Sequence, residues 1–397
     1  MKISASGRLP GRLAGMAEPK DATAESPAAP QVEDDPDLLR LMLRDRDEGP
    51  AVFRPTNHWR HLERRFLPYL RRQGLRGFRR CRAGGGGEVF GSFGATDLVQ
   101  HVLHPRKVAM WRRLAPLTRR WPRLGRLVAA LQPAVDALAR SLTRSPVDLD
   151  GWRRLRYEYA RRCGELAGAV ALERLEASAA GDPEDLFEID GRFYTSSLLE
   201  HYHRYAYCSR FVDFGAVELV VELGGGAGKQ AEVLHRLHPG LTLLLFDIPP
   251  QLYVAHQYLT ALFGDAVVPY RATRDLRRFD GLERGRIYLF GSFKWPLVAE
   301  LEVDLFWSAA TFQEMEPDVV RSYLEPIDAR ARNVYLLQLA RGARRAVAPG
   351  RLGVLEPTTW EHYESFLPSL EILDASPCPL PHATPMEGYI QAVWRRR

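Results

Sequence analysis

The sequence predicts an α/β fold in its C-terminal half, with a largely parallel sheet of seven strands, preceded by a mainly helical region. The first observation behind this is a change of pattern near residue 215, where short apolar runs begin to alternate with helical stretches, as in βαβ units. The second is the continuous apolar character of these runs, which is typical of strands buried on both faces. The predicted strands are residues 218–223, 241–246, 286–290, 303–307, 334–339, 370–373 and 389–394.

The N-terminal half has a different pattern. Residues 1–35 are rich in Ala, Pro, Gly and acidic residues and have few large apolar side chains, so we expect a disordered tail. Helical spacing of apolar residues follows in three stretches, at 37–82, 106–143 and 151–179. The expected parts of the chain are therefore a tail at 1–35, a helical region at 36–195 and an α/β domain at 196–397.

The positive charge of the chain is concentrated in one stretch. Of the net charge of +6, residues 54–126 contribute +15, from 18 Lys and Arg against 3 Asp and Glu, and the rest of the chain carries −9. Such a stretch could face nucleic acid, a membrane surface or an acidic substrate. Because charge runs commonly serve solubility, we rank solvated helix faces first.

Cysteine usage and hydropathy point to a soluble cytoplasmic protein. The four cysteines, Cys81, Cys163, Cys208 and Cys378, lie far apart and show no zinc-site spacing, so free thiols are expected. The sequence has neither a start suited to a signal peptide nor an apolar run long enough to span a bilayer. We also find no dense carboxylate cluster that calls for a divalent metal.

The most informative segment is Glu222-Leu-Gly224-Gly-Gly226-Ala-Gly228, which follows a predicted strand and precedes a predicted helix. Its glycines permit a tight turn and a close approach of backbone to ligand, and the helix start supplies free N–H groups. Asp247 follows Gly224 by 23 residues, at the end of the next strand. An acid at that position can bind both hydroxyls of a ribose. An ordinary strand-to-helix turn is the alternative interpretation.

The glycine spacing separates two classes of nucleotide-binding enzyme. Dehydrogenases use G-x-G-x-x-G, but Lys229 stands at the position of the third glycine. The E-x-G-x-G-x-G pattern of this chain instead resembles the first motif of class I S-adenosylmethionine-dependent methyltransferases. This resemblance implies a Rossmann-like sheet that ends in an antiparallel hairpin, here residues 370–373 and 389–394, and S-adenosylmethionine as the cofactor.

Carried over by position, the resemblance assigns the cofactor contacts. Glu222 and the glycine backbone would line the methionine portion, Asp247 would bind the ribose and Ile248 would pack beside the adenine. Many relatives place an acid near the end of the third strand to bind the adenine amine, and this chain departs from that pattern. The expected cofactor-binding residues are Glu222, Gly224, Gly226, Gly228, Asp247, Ile248, Ser292, Phe293 and Ser308.

Three further segments carry a finer resemblance. Phe246-Asp-Ile-Pro-Pro-Gln-Leu-Tyr253, Thr311-Phe-Gln-Glu-Met315 and Arg54-Pro-Thr-Asn-His-Trp59 resemble the bacterial sugar O-methyltransferase family found among natural-product and polysaccharide biosynthesis genes. The resemblance covers about residues 50–394. It implies a small-molecule acceptor, such as a sugar hydroxyl of a glycosylated natural product or polysaccharide precursor.

A sugar hydroxyl is a poor nucleophile while it is protonated, so a general base is expected. Glu314, just past the fourth strand, is the first candidate, although an acid at a helix N-terminus needs no catalytic role. His201 and His203 lie on a predicted helix at 196–213 and are the other candidates. Two positions apart, they point to different sides of that helix, so at most one is expected to face the site.

Other functions stay open at this point. The N-terminal helices are expected to cover the cofactor cleft and shape the acceptor pocket, where Trp59, Trp111 and Trp121 could stack on a sugar or simply form core. An RNA or other macromolecule methyltransferase that uses the basic helices is ranked second. A non-catalytic cofactor-fold protein is ranked third. The acceptor, the dependence on metal and the oligomeric state, a homo-oligomer included, are not determined by the sequence.

Overall fold

A computed structural model describes part of the chain in detail. The described residues are 30–75, 77–79, 149–183, 185–378 and 388–397. The predicted helical stretch at 106–143, most of the basic stretch, Trp111, Trp121 and residues 1–29 lie outside the described residues.

Helices dominate the described part of the N-terminal region: α1 (Pro36–Glu48), α2 (Asn57–Gln73) and α3 (Leu149–Ala167). The helical stretch predicted at 151–179 is too long, because Gly168, with φ 64°, ends α3 in the left-handed conformation typical of a helix C-terminus. A 3₁₀ turn (Leu172–Arg174) follows, and then a short antiparallel hairpin of β1 (Phe187–Ile189) and β2 (Arg192–Tyr194).

The last residues of the expected tail contact the α/β domain. The carbonyl of Glu33 accepts a hydrogen bond from the Gln257 side chain at 2.8 Å. The backbone N–H of Asp35 donates to the Tyr253 hydroxyl at 2.7 Å, and the Tyr253 hydroxyl also bonds to the Asp34 carboxylate. For residues 1–29, disorder stays a prediction.

An eight-stranded sheet forms the centre of the α/β domain. Its strands are β3 (Leu219–Leu223), β4 (Thr242–Asp247), β5 (Val267–Val268), β6 (Ile287–Gly291), β7 (Val303–Ala309), β8 (Ala331–Leu339), β9 (Leu370–Pro377) and β10 (Tyr389–Arg396). Their order in the sheet is β5-β6-β4-β3-β7-β8-β10-β9. Strand β10 runs antiparallel to both of its neighbours, and the other pairings are parallel. The expected class I sheet with its final antiparallel hairpin is therefore confirmed, with one short edge strand added.

Helices pack on both faces of this sheet. Alternate residues of one strand enter different cores, as Leu243 and Leu245 do on one face and Leu244 and Phe246 on the other. Burial on both faces explains the continuous apolar runs that identified the strands. The helices are α4 (Ser196–Ser209), α5 (Lys229–Leu237), α6 (Pro249–Phe263), α7 (Tyr270–Thr273), α8 (Pro317–Arg330) and α9 (Trp360–Phe366).

The strand order positions the site. Strand β3 lies between β4, which follows it in the chain, and β7, which the chain enters from β6 on the other side of β3. The strand order therefore reverses at β3. Ligands of open α/β sheets bind outside the carboxyl ends of the strands at such a reversal. Among the described residues, no helix has the length and hydropathy of a membrane span.

Candidate cofactor and acceptor site

A cavity of about 250 Å³ opens at the carboxyl ends of β3, β4 and β7, where the strand order reverses. It is lined by the backbone of the glycine loop and by side chains from α2, α4, α5, α6 and the segment after β7. Its polar and ionisable lining side chains are Trp59, Glu200, His201, Arg204, Glu222, Lys229, Gln230, Asp247, Gln251, Ser292, Thr311 and Glu314.

The glycine loop needs its glycines for two different reasons. Gly224, Gly226 and Gly228 all have positive φ angles, of 80°, 56° and 78°, which L residues with side chains rarely adopt. A Cβ on Gly224 would lie 1.9 Å from Oγ1 of Thr311, whereas a Cβ on Gly226 would meet open space. Gly224 and Gly226 line the cavity, while Gly228 lies outside its lining and packs against Leu259 of α6.

The Asp247 carboxylate is held in place by two backbone groups. Its Oδ2 accepts the Gly226 N–H at 2.8 Å, and its Oδ1 accepts the Ile248 N–H at 2.7 Å. Each oxygen retains acceptor capacity for a ligand. Burial raises the pKa of Asp247 to about 7, against the opposing effect of these two hydrogen bonds. Ile248 lines the cavity beside it.

A second acid, Glu222, lies at the base of the glycine loop. Burial, and then repulsion from Asp247, raise its pKa to about 8, while the positive charge of Arg204 opposes the rise. Arg204 forms a buried ion pair with Glu200, one turn earlier on α4. Glu200 and Arg204 were not among the site residues predicted from the sequence, although their spacing of four on a helix that leads into the glycine strand is a recognisable signal.

The third acid, Glu314, lies in a 3₁₀ turn (Phe312–Glu314) after β7 and is held by helix α2 and the residue before it. Its Oε2 accepts the indole N–H of Trp59 at 2.8 Å, and its backbone carbonyl accepts the Thr56 hydroxyl at 2.9 Å. The Nε2 atom of His58 lies 3.8 Å from Oε1. Burial raises the pKa of Glu314 to about 8; the Trp59 hydrogen bond opposes the rise, and the charge of Asp247 adds to it.

The two histidines of α4 point to different places. His201 lines the cavity, with its Nδ1 2.7 Å from the carbonyl of Ser197, and burial lowers its pKa to about 3. His203 lies outside the cavity lining and stacks on Tyr159 with ring centroids 5.8 Å apart. Burial lowers its pKa to about 4. Only His201 of the two therefore has access to a ligand in this cavity.

The other three predicted residues divide in the same way. Ser292 lines the cavity. Phe293 lies outside the lining and packs against Gly49 and Gly291. Ser308 is fully buried within the sheet, where its carbonyl accepts a hydrogen bond from Gln338 at 3.3 Å.

Two buried side-chain amides mark the cavity as a site for a polar ligand. Gln230, in the first turn of α5, and Gln251, in the first turn of α6, both line the cavity and are 2% exposed. Among the described residues, neither amide group has a hydrogen-bond partner. Because an unpaired buried amide is costly, a ligand with donors and acceptors at both places would stabilise this arrangement. Within the same residues, no group of three or more His, Cys, Asp or Glu is suited to hold a metal ion.

One segment of the chain matches a known protein family. A family model described as an O-methyltransferase domain matches residues 204–270, the stretch that contains the glycine loop and Asp247. No curated protein matches the chain significantly.

Three similar solved structures illustrate the extent of the structural likeness. The mitomycin 7-O-methyltransferase MmcR is 17% identical, and the match covers 49% of this chain and 57% of MmcR, with a TM-score of 0.31. The N-terminal domain of EvdMO1, determined in the presence of S-adenosylhomocysteine and D-fucose, is 16% identical over 61% of this chain and 97% of that domain, with a TM-score of 0.33. Human N-acetylserotonin methyltransferase in complex with S-adenosylmethionine is 17% identical over 50% of this chain and 55% of the human chain, with a TM-score of 0.28.

Proposed function

We propose that this chain is an S-adenosylmethionine-dependent methyltransferase that acts on a hydroxyl group of a small molecule. The observation that carries the proposal is the meeting of the glycine loop and the Asp247 carboxylate at one cavity. The family match supports it, because residues 204–270 include both features.

The cavity residues suit the separate parts of this cofactor. Glu222 and the backbone at Gly224 and Gly226 would hold the methionine portion, with the unpaired Gln230 amide beside them. Asp247 has acceptor capacity on both oxygens for the two ribose hydroxyls. Ile248, Ser292 and the unpaired Gln251 amide would border the adenine. Gly228, Phe293 and Ser308 would support the site from outside the cavity.

The reaction proposed here depends mainly on positioning and on one base. When bound, S-adenosylmethionine would supply a methyl group on its positively charged sulfur. The acceptor oxygen would attack the methyl carbon in line with the carbon–sulfur bond that breaks. Alignment of the two reacting atoms contributes much of the rate. Glu314 would accept the hydroxyl proton, because its carboxylate lines the cavity past β7 and is oriented by Trp59. His201 is the second candidate base, and His203 lies outside the cavity.

A sugar hydroxyl is the finer assignment that we propose for the acceptor. Two of the segments that resemble the sugar O-methyltransferase family, Arg54–Trp59 and Thr311–Met315, contact each other at the cavity through Thr56, Trp59 and Glu314. The indole of Trp59, which lines the cavity, would stack on the acceptor sugar.

Transfer of a labelled methyl group from S-adenosylmethionine to a panel of acceptors tests this proposal. The panel contains glycosides, nucleotide-linked sugars, phenols and total RNA. We expect label in a glycoside or nucleotide-linked sugar and none in RNA. Labelling of RNA alone, with RNA binding that weakens steeply with salt, would contradict a small-molecule acceptor. Labelling of phenols alone would contradict the sugar assignment and leave the small-molecule proposal intact.

A further inference from the structure

Three carboxyl groups from separate elements share the cavity: Glu222 at the end of β3, Asp247 at the end of β4 and Glu314 after β7. The negative charge of Asp247 raises the pKa of each of the other two groups. In their ionised forms, these groups would place three negative charges around a space of about 250 Å³. Such charges need either compensating cations or protons.

The cationic side chains in the described lining already have acidic partners. Arg204 is paired with Glu200, and the Lys229 ammonium lies 4.0 Å from Oε2 of Glu232 and 4.0 Å from the ring centroid of Tyr258. Burial keeps the pKa of His201 at about 3, so this lining histidine is uncharged at neutral pH.

None of the described side chains that face Glu314 carries a positive charge at neutral pH. From α2 it meets the neutral indole of Trp59 and His58, whose pKa is lowered to about 4 by burial and by repulsion from His61. Glu314 also interacts with the negative charge of Asp247, at the end of β4, and with the hydroxyl of Tyr389, on β10. With a pKa of about 8, Glu314 is largely protonated at pH 7, a form that cannot act as a base.

We propose, on the basis of the function proposed above, that binding of the cationic methyl donor converts Glu314 from a protonated acid to a carboxylate, so that the base forms only when the donor is in place. The cationic side chains of the described lining are already paired with acids. A sulfonium in the cavity would therefore supply an additional, unpaired positive charge near the three carboxyl groups.

The charges balance through the whole cycle. As the donor binds, Glu314 releases one proton to solvent. The acceptor oxygen then forms a bond to the methyl carbon while the carbon–sulfur bond breaks, its electron pair stays on sulfur, and the hydroxyl proton moves to the Glu314 carboxylate. The cavity thus exchanges one sulfonium and one carboxylate for one neutral thioether and one neutral acid. Glu314 stays protonated after transfer, because the thioether carries no charge that favours the carboxylate.

Calorimetry with S-adenosylmethionine and S-adenosylhomocysteine tests the inference without an acceptor. The full-length chain is titrated at pH 7 in phosphate and in Tris, whose different ionisation enthalpies report the number of protons released. We expect the methyl donor to release about one proton more than S-adenosylhomocysteine, because the two ligands differ in the sulfonium charge. Its affinity relative to S-adenosylhomocysteine should then rise between pH 6 and pH 8, with a limit of about tenfold per pH unit.

Two variants assign the proton. Glu314→Gln should remove the difference in proton release between the two ligands. It should keep the affinity for S-adenosylhomocysteine within a few-fold of the wild type. Glu325→Gln, which neutralises an exposed glutamate of α8 away from the cavity, should leave the difference unchanged.

The outcomes separate this inference from the proposed function. Equal proton release by both ligands in the wild type would overturn the inference while leaving the proposed function intact. A difference in proton release that persists in Glu314→Gln would mean that another carboxyl group releases the proton, and would overturn the role of Glu314. If neither ligand binds, both proposals are wrong.

Discussion

The two ends of the cavity that we propose for the cofactor and for the acceptor are built in different ways. The cofactor end comes from neighbouring parallel strands, with Glu222 and the glycine loop after β3 and Asp247 at the end of β4. Backbone groups orient its key carboxylate. The acceptor end joins Trp59 and Glu314, which are 255 positions apart in the chain, through side-chain contacts. Changes at the first end should therefore alter cofactor affinity, and changes at the second should alter turnover.

The largest effect on turnover should come from Glu314→Gln. The amide keeps the shape of the side chain and removes its basicity, so turnover should fall by about a hundredfold or more while affinity for S-adenosylhomocysteine stays within a few-fold. His201→Ala and His203→Ala should have much smaller effects on turnover. Steady-state rates with the acceptor found in the panel, together with calorimetry, check this. A hundredfold loss in His201→Ala with a mild effect of Glu314→Gln would make His201 the base.

At the cofactor end, two glycine variants separate the effect of backbone strain at a positive φ from the effect of a steric contact with Thr311. Gly224→Ala combines a positive φ with a Cβ position 1.9 Å from Thr311, whereas Gly226→Ala has a positive φ and open space. Because strain at positive φ costs about 1 to 2 kcal/mol, affinity for S-adenosylhomocysteine should fall about tenfold in Gly226→Ala and further in Gly224→Ala. Calorimetry measures both. Equal losses would mean that the contact with Thr311 has no part in shaping the loop.

The smallest effect should be a shift in pH dependence at the acceptor end. Trp59→Phe removes the N–H that donates to Glu314 and keeps an aromatic ring there. Since that hydrogen bond lowers the pKa of Glu314, its loss should raise the pKa, and the rise of turnover with pH should move upwards by about one unit or less. Affinity for S-adenosylhomocysteine should not change.

Trp360→Phe is the matched control for this shift. It removes an indole N–H that donates to Glu364 at 2.7 Å, on the surface and away from the cavity. Its pH profile should equal that of the wild type. An unchanged profile in Trp59→Phe would show that this hydrogen bond does not tune Glu314.

The difference between local structure and long-range contacts also determines how much of the fold and of the site the sequence alone could predict. The seven strands and the glycine loop were predictable because they depend on local periodicity and on neighbouring residues. The edge strand β5 was missed because two residues leave no detectable run. The helical pattern at 151–179 was extended too far because apolar spacing does not show that Gly168 adopts a positive φ.

At the site, side-chain direction and long-range contact were the unpredictable parts. Ser308 follows strand β7 by sequence pattern, yet the strand continues to Ala309 and holds Ser308 in the sheet, outside the cavity lining. The motif that contains Trp59 could be recognised as a resemblance. Its hydrogen bond to Glu314 depends on tertiary packing, which no local pattern encodes.

Calorimetry of the wild-type chain with S-adenosylhomocysteine and with NADH tests the central claim most directly. The glycine loop and Asp247 should bind S-adenosylhomocysteine with micromolar affinity and give no measurable binding of NADH. Asp247→Ala should weaken that binding by about 1 to 3 kcal/mol, because the ribose hydroxyls lose their acceptors. Tight binding of NADH with none of S-adenosylhomocysteine would contradict the assignment of this cavity to a methyl donor.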